Sequence, residues 1–135
     1  MCASNTGKPH LPAEWSISIV DDDARVRKSL VNLLSAVGYH AVGFDSGEAF
    51  MASLTETLPD CVLLDSRMGG MQGIDVQRLL KSMAARPAIV CMSAFWDNAG
   101  IAEAHALGAH RCLPKPFEEE QLLSTLKEAL TGRRD

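Results

Sequence analysis

Short apolar runs that alternate with helical patterns constrain the fold of this chain more than any other feature of its sequence. The runs are rich in Val, Ile and Leu, and they cover residues 17–20, 61–64, 88–92 and 112–113. Runs of this length, separated by helical segments, are typical of buried parallel strands. With a further short strand at residues 40–44 they make five β-α units. Because crossovers between parallel strands are right-handed, these units predict an α/β fold: a five-stranded doubly wound parallel sheet of order 2-1-3-4-5, flavodoxin-like (βα)5.

Five helices are predicted after the strands. The first covers residues 24–37 and ends at Gly38, because glycine readily adopts the backbone conformation that follows many helices. The second begins after Ser46, a candidate N-cap, and runs to about residue 56. The third follows a glycine-rich loop. Its apolar face consists of Val76, Leu79, Leu80 and Met83. An alanine-rich fourth helix ends at Gly108, and the fifth covers residues 118–130.

Side chains that phosphoryl-transfer chemistry uses follow four of the strands, at the point where each strand ends. In chain order they are Asp21, Asp22 and Asp23, then Asp65, then Ser93, then Lys115 between two prolines. In an open α/β sheet the ligand site lies beyond the carboxyl ends of the strands, at the switch point, which here falls between the first and third strands. The sequence therefore predicts that carboxylates, a hydroxyl and an ammonium gather in one crevice.

These residue types suit a phosphoryl transfer that depends on Mg²⁺. Clustered carboxylates repel one another, and an all-oxygen site suits Mg²⁺. Beside such a cation Asp65 is a reasonable nucleophile toward phosphorus, while Lys115 would neutralise phosphoryl oxygens and Ser93 would donate a hydrogen bond to one of them. Each of these residues also has a structural alternative that stays open. Asp23 would cap the following helix, Ser93 would be an ordinary loop serine, and Lys115 would be a solvated surface residue.

Length, charge and hydropathy exclude several classes of protein. With 135 residues one domain is expected, predicted over residues 15–131, with a disordered tail at 1–14 and a C-terminal tail or the start of a linker at 132–135. The net charge of −4 gives no support to direct nucleic-acid contact by this chain. No apolar stretch approaches the ~20 residues that cross a membrane, and no signal peptide is evident. We therefore expect a cytoplasmic location and no membrane partner.

The four cysteines lack the spacing of zinc ligands. Cys61, Cys91 and Cys112 lie on predicted strands, and Cys2 lies in the N-terminal tail. The first three are predicted to be small packed residues in a reducing compartment.

Four segments resemble the receiver domain of two-component response regulators. The resemblance extends over about residues 15–130, and the matching segments are IVDDDARVRKSL, VLLDSRMGGMQG, CMSA and LPKPF. The likeness is greatest to receivers that precede a helix-turn-helix output domain. It implies a phosphoacceptor signalling domain with the fold of the chemotaxis regulators, one that catalyses its own phosphorylation and dephosphorylation but is not otherwise an enzyme.

The resemblance implies a role for each residue of the acidic site. Asp65 would be the phosphoacceptor and would also contact Mg²⁺. Asp22 would be a direct ligand of Mg²⁺, and Asp21 would act largely through water. The backbone carbonyl of Arg67 would be the remaining protein ligand.

The switch residues contain the main departure from the family pattern. By the resemblance Ser93 is the switch hydroxyl, and Lys115 is the lysine that precedes a proline in cis. The switch aromatic of the family, three residues before the lysine, falls on Cys112, which has no ring to turn inward. Phosphorylation should survive this change, and Phe95 and Trp96 are the nearby aromatic residues available as substitutes.

The resemblance also implies the partners. A histidine kinase or a phosphotransfer protein would donate the phosphoryl group, docking near Arg25, Val26 and Ser29. The phosphorylated form would switch partner binding, or homodimerisation through the face formed by the last two helices and the strand between them.

Two other functions fit parts of the sequence. A receiver-like scaffold that binds a partner without phosphorylation has two supports, Cys112 and the Gly69-Gly70 pair where the family usually has a proline. A haloacid-dehalogenase-like phosphatase would use Asp21 as its nucleophile, with Ser93 and Lys115 as later motifs. Such an enzyme needs a further acidic motif after the lysine, and the sequence has no further strand that ends in aspartate.

Overall fold

The structure, a computed structural model, describes residues 15–134, with the backbone alone for 132–134. Its elements are β1 (Ser16–Val20), α1 (Ala24–Ala36), β2 (His40–Phe44), α2 (Gly47–Ser53), β3 (Cys61–Asp65), α3 (Gly73–Lys81), β4 (Ala88–Ser93), α4 (Asn98–Ala106), β5 (Ala109–Pro114) and α5 (Glu119–Arg134). The tail expected at residues 1–14 lies outside the described residues. α5 continues past residue 130, where the last helix was predicted to end, and the domain limits stay a prediction.

The five strands form one parallel sheet of order β2-β1-β3-β4-β5, which confirms the predicted topology. In this sheet Val20 of β1 is in register with Leu64 of β3, and Asp65 at the end of β3 is in register with Met92 of β4. Asp21, which follows Val20, therefore lies beside Asp65 across the switch point. The carboxyl edge of the sheet collects the residues that follow each strand, as expected for a doubly wound sheet.

Helices cover both faces of the sheet and divide the core into two layers. On one face α1 and α5 contribute Leu30, Leu34, Leu122 and Leu126. On the other face α2, α3 and α4 contribute Phe50, Val76, Leu80 and Ala104. The central strand β3 is buried at every residue, which explains its continuous apolar run. No helix between residues 15 and 134 is both long and apolar enough to span a bilayer.

Local signals account for most of the helix ends. The hydroxyl of Ser46 accepts a hydrogen bond from the backbone N–H of Ala49 at 3.0 Å and begins α2 as predicted. Gly38 and Gly108 follow α1 and α4 with φ values of 106° and 101°, in the left-handed region that glycine enters without strain. α2 is shorter than predicted and ends at Ser53.

The inward face of α3 differs from the prediction. Leu79, predicted on the buried face, is 44% exposed, whereas Gln77 is 1% exposed. The Gln77 side-chain N–H donates to the carbonyls of Ala104 at 3.0 Å and Leu107 at 3.4 Å, at the end of α4. A buried amide is stable there because it satisfies carbonyls that the end of a helix leaves without partners.

Candidate functional site

Three carboxylates meet at the carboxyl edge of β1 and β3. Asp21, Asp22 and Asp65 each place an oxygen within 4.8 Å of the other two. Asp21 and Asp65 are buried, whereas Asp22 is exposed. Their juxtaposition follows from the sheet order, because β1 and β3 are neighbours in the sheet although residues 21–60 lie between them in the chain. The structure thus brings together the carboxylates that the sequence placed in one crevice.

Lys115 reaches these carboxylates from the end of β5. Its Nζ donates to Asp21 Oδ2 at 2.7 Å and lies 3.4 Å from Asp65 Oδ1. Burial lowers the pKa of Lys115, but its hydrogen bond to Asp21 and the charge of Asp65 outweigh burial, so the net pKa is raised. The Lys115–Pro116 peptide bond is cis, as the resemblance implied. The solvated-surface alternative for this lysine is therefore wrong.

The pKa of the Asp65 carboxyl group lies close to neutral pH. Burial, and then the charge of Asp21, raise its pKa from 3.8 to about 6, although the charge of Lys115 and a hydrogen bond from the backbone N–H of Arg67 lower it. The group is therefore mostly ionised at pH 7 but poorly solvated. An ionised carboxylate with little solvation is the form suited to attack phosphorus.

The other two aspartates after β1 have different roles. Asp22 Oδ2 accepts a hydrogen bond from the backbone N–H of Gly69 at 3.1 Å, which ties the loop after β3 to the end of β1. Asp23 Oδ1 accepts from the backbone N–H groups of Arg25 and Val26 at 2.9 and 3.4 Å, and these bonds lower its pKa. Asp23 is therefore the cap of α1 and not a member of the cluster.

The hydroxyl of Ser93 bonds to its own loop. It lies at the end of β4, 1% exposed, donates to the Phe95 carbonyl at 2.9 Å and accepts from the Phe95 N–H at 3.2 Å. The Ser93 carbonyl accepts from the backbone N–H of Lys115 at 2.7 Å. Ser93 thus stands between the Asp65 strand and the Lys115 strand, with its hydroxyl holding the first turn of the loop between β4 and α4.

Arg67 and Phe95 connect the loops that follow β3 and β4. The guanidinium of Arg67 lies 5.9 Å from the centroid of the Phe95 ring, a cation–π contact, and the Phe95 side chain is largely exposed. The backbone N–H of Arg67 bonds to Asp65. The proposed role of the Arg67 carbonyl as a metal ligand stays a prediction.

Two residues of this region were missed from the sequence. A Cβ on Gly73 would lie 2.5 Å from the Asp65 carbonyl oxygen, so glycine lets α3 begin against the end of β3. The three glycines after β3 were the available signal. The sequence indicates Trp96 only as a substitute aromatic, but its indole N–H donates to the Leu113 carbonyl at 2.9 Å. No pattern in the sequence signals that bond.

None of the three cysteines within residues 15–134 forms a disulfide. Cys112 is in register with Cys91 on the neighbouring strand β4. Burial raises the pKa of both thiols, and the neighbouring Cys112 raises that of Cys91 further. A thiol that stays protonated is a poor nucleophile, which supports the predicted packing role.

The donor set fits Mg²⁺. Three carboxylates face one ammonium, so the crevice carries an excess of negative charge, and its side-chain ligands are all oxygen, which Mg²⁺ prefers. Asp22 is the carboxylate most accessible to solvent for direct coordination. The phosphatase arrangement lacks its final acidic motif here, because α5 and no further strand follows Lys115 in the part of the chain that the structure describes.

Comparisons with known proteins agree with this geometry. The family model of the response regulator receiver domain matches residues 17–127. The response regulator protein TodT of Pseudomonas putida is 35% identical over 126 residues, which cover 93% of this chain and 56% of TodT. The structure of the response regulator StyR has a TM-score of 0.80 at 36% identity, covering 88% of this chain and 60% of that one.

The chemotaxis protein CheY4 of Vibrio cholerae has a TM-score of 0.80 at 25% identity, covering 86% of this chain and 98% of that one. The chain spans about half the length of the first curated relatives it matches. Sheet order, acidic crevice and family match agree: the chain belongs to the response regulator receiver domains of two-component systems.

Proposed function

We propose that Asp65 is the phosphoacceptor of a Mg²⁺-dependent aspartyl-phosphate switch. One observation carries the proposal: the buried Asp65 lies against Asp21 and 3.4 Å from the Lys115 ammonium. The nucleophile and a cation that neutralises the incoming group therefore share one crevice. The donor is a phosphohistidine of a histidine kinase or of a phosphotransfer protein.

The transfer exchanges one bond to phosphorus for another. A carboxylate oxygen of Asp65 forms a P–O bond as the P–N bond of the phosphohistidine breaks, and the imidazole leaves with its electron pair and takes a proton from solvent. The Lys115 ammonium balances the charge that accumulates on the phosphoryl oxygens. The Ser93 hydroxyl exchanges its bond to the Phe95 carbonyl for a bond to one of those oxygens. Attack of water at phosphorus then breaks the P–O bond to Asp65, releases inorganic phosphate and returns the free carboxylate.

Mg²⁺ belongs to this chemistry as a cofactor. It would be held by the carboxylates of Asp22 and Asp65, by Asp21 largely through water, and by the Arg67 carbonyl. When bound, it supplies charge neutralisation of the carboxylates and of the phosphoryl oxygens. This chain's own contribution is to hold three carboxylates at the ends of the adjacent strands β1 and β3, where the fold keeps their mutual repulsion from separating them.

The donor has a groove beside the site. Arg25, Val26 and Ser29 of α1 line one side, and Pro116 and Phe117 line the other, enclosing about 590 Å³. Lys115 lines the same groove, so an occupant that lies there would be next to the lysine whose ammonium is 3.4 Å from Asp65. We assign this groove to the kinase or phosphotransfer protein, consistent with the docking position that the family resemblance implied.

Output and location are also proposals, because the chain spans about half of the curated relatives. Phosphorylation would switch partner binding, or homodimerisation through α4, β5 and α5, in the cytoplasm. On that face Arg111 of β5 pairs with Glu128 of α5 at 2.7 Å. A DNA-binding output would belong to another segment, since this chain carries a net charge of −4 and no basic stripe is expected of it.

Intact mass after incubation with acetyl phosphate tests the proposal. One added phosphoryl group that requires Mg²⁺ is expected for the wild type and for Asp45→Asn, an exposed aspartate after β2 at the same sheet edge. No addition is expected for Asp65→Asn. An unlabelled wild type, under conditions that label a known receiver, would replace this proposal with the scaffold function.

A further inference from the structure

The loop between β4 and α4 contains a continuous path from the phosphorylation site to β5. Ser93 bonds to both the N–H and the carbonyl of Phe95. The next residue, Trp96, extends its indole to the carbonyl of Leu113 on β5 at 2.9 Å. A displacement of the Ser93 hydroxyl removes both bonds that position Phe95, and the backbone of Trp96 is released with it.

The indole also lies close to the start of α4. A Cβ on Gly100, in the first turn of α4, would lie 3.7 Å from Cε3 of the Trp96 ring. Asp97, the residue after Trp96, caps α4 by accepting a hydrogen bond from the Gly100 N–H at 2.7 Å. Because Asp97 follows Trp96 directly in the chain, we expect a displacement of the Trp96 backbone to shift the cap of α4.

The other end of α4 is fixed. Gln77 donates to the carbonyls of Ala104 and Leu107, and the Lys81 ammonium donates to the Ala106 carbonyl at 3.0 Å. These donors on α3 hold the last turn of α4. A signal that arrives through Trp96 is thus expected to reorganise the first turn of the helix and to leave its last turn in place.

Space for the ring to move lies on its inner side. A cavity of about 360 Å³ between α3 and α4 is lined by Arg67 beside the acceptor, by Gln77 and Cys91 in its wall, and by Trp96 and Gly100 at its α4 side. Cys112, on the same face of the sheet as Trp96, is too small to occupy the space that an aromatic side chain would fill there. The half-buried indole lines this cavity while it is bonded to β5, so loss of the bond to Leu113 would leave the ring space to turn inward.

We propose that Trp96 is the residue that transmits phosphorylation of Asp65 to β5 and α4, by leaving the Leu113 carbonyl and turning into the cavity between α3 and α4. The inference rests on the proposed function, because it requires phosphorylation of Asp65 to draw the Ser93 hydroxyl away from Phe95. It assigns to the loop between β4 and α4 the aromatic movement that Cys112 on β5 cannot supply.

Fluorescence tests the movement directly. The chain has two tryptophans, so a Trp15→Phe background leaves Trp96 as the single emitter. Acetyl phosphate with Mg²⁺, or BeF₃⁻ with Mg²⁺, is expected to shift its emission to shorter wavelength as the ring leaves solvent. The same protein with Asp65→Asn should show no shift. Intact mass on the acetyl phosphate samples shows whether Asp65 is labelled.

Hydrogen exchange tests the transmission. In the wild type, phosphorylation should change amide exchange in β5 and in the first turn of α4. Trp96→Leu should accept the phosphoryl group to the same extent but lose that change, whereas Trp96→Phe, which keeps a ring and guards against loss of folding, should retain part of it. Phe95→Leu is the matched control, because the bonds to Ser93 involve its backbone, and it should respond like the wild type.

The outcomes separate the two proposals. Labelled protein with no emission shift, or a Trp96→Leu variant that is labelled and shows the wild-type exchange response, would overturn the role of Trp96 alone. A wild-type protein that is not labelled would overturn the function proposed for Asp65 and the inference with it.

Discussion

Replacing Asp65 with asparagine should stabilise the protein at neutral pH, although it removes the proposed phosphoacceptor. Burial and the charge of Asp21 raise the pKa of Asp65 from 3.8 to about 6. Above that pH the native state holds an ionised carboxylate in a site that favours the neutral acid. A shift of roughly two pKa units corresponds to at most about 3 kcal/mol in the free energy of unfolding. Asparagine has nearly the shape of the neutral acid and carries no charge at any pH.

The sign follows from proton linkage. Between pH 3.8 and about 6 the folded protein binds more protons at Asp65 than the unfolded chain does, so the contribution of this group to stability falls as pH rises through that window. About half of the cost is present at pH 5 and nearly all of it at about pH 8. Because Asp65→Asn lacks this titration, its stability advantage over the wild type should widen between these two conditions.

Urea denaturation in Mg²⁺-free buffer measures this difference. Asp23→Asn is the matched control, because hydrogen bonds from Arg25 and Val26 lower the pKa of Asp23 and its contribution is lost only as pH falls below the ordinary aspartate range. Its difference from the wild type should stay constant over the same conditions. Added Mg²⁺ should reduce the difference in the free energy of unfolding between Asp65→Asn and the wild type, because Mg²⁺ binding stabilises the wild type. An Asp65→Asn variant no more stable than the wild type at about pH 8 would refute the reasoning.

Three further substitutions test other parts of the site. Lys115→Met should raise the pKa of Asp65 above about 6 and slow labelling by acetyl phosphate on the order of 10²-fold; an unchanged rate measured by intact mass would contradict its role. Gly73→Ala should lower the free energy of unfolding by about 1–3 kcal/mol, because its Cβ would lie 2.5 Å from the Asp65 carbonyl; a urea midpoint equal to that of the wild type would show that the contact is relieved elsewhere. Gln77→Ala should lower the free energy of unfolding by about 1–3 kcal/mol and accelerate hydrogen exchange in the last turn of α4. An exchange rate equal to that of the wild type would show that Gln77 does not hold that turn.

The elements of the fold could be read from local sequence because each carries its own signal. The continuous apolar run of β3 and the Ser46 cap of α2 were recognised without tertiary information, and both are where they were expected. The buried face of α3 was not recognised correctly, because apolar character alone places Leu79 on it. Gln77 is buried there only because the end of α4 offers it two carbonyls, and that pairing depends on the packing of two helices.

The residue types of the site were likewise present in the sequence, and the sheet order implied that they meet. Three properties of the site could not be predicted from the sequence: the pKa of Asp65, the contact of Lys115 with two carboxylates, and the partner of the Trp96 indole. Each depends on burial and on distances between atoms that are far apart along the chain. Electrostatic interactions change steeply with both.

The sequence by itself determined the order of the strands and which chemical groups stand at their carboxyl ends, because hydrophobic periodicity and turn residues act locally along the chain. The tertiary structure alone decided that Asp23 caps a helix while Asp22 faces the site, and that the aromatic ring next to β5 comes from a loop. Those outcomes depend on which groups share a small volume after folding. Close packing lets only one arrangement of neighbours satisfy their charges and hydrogen bonds.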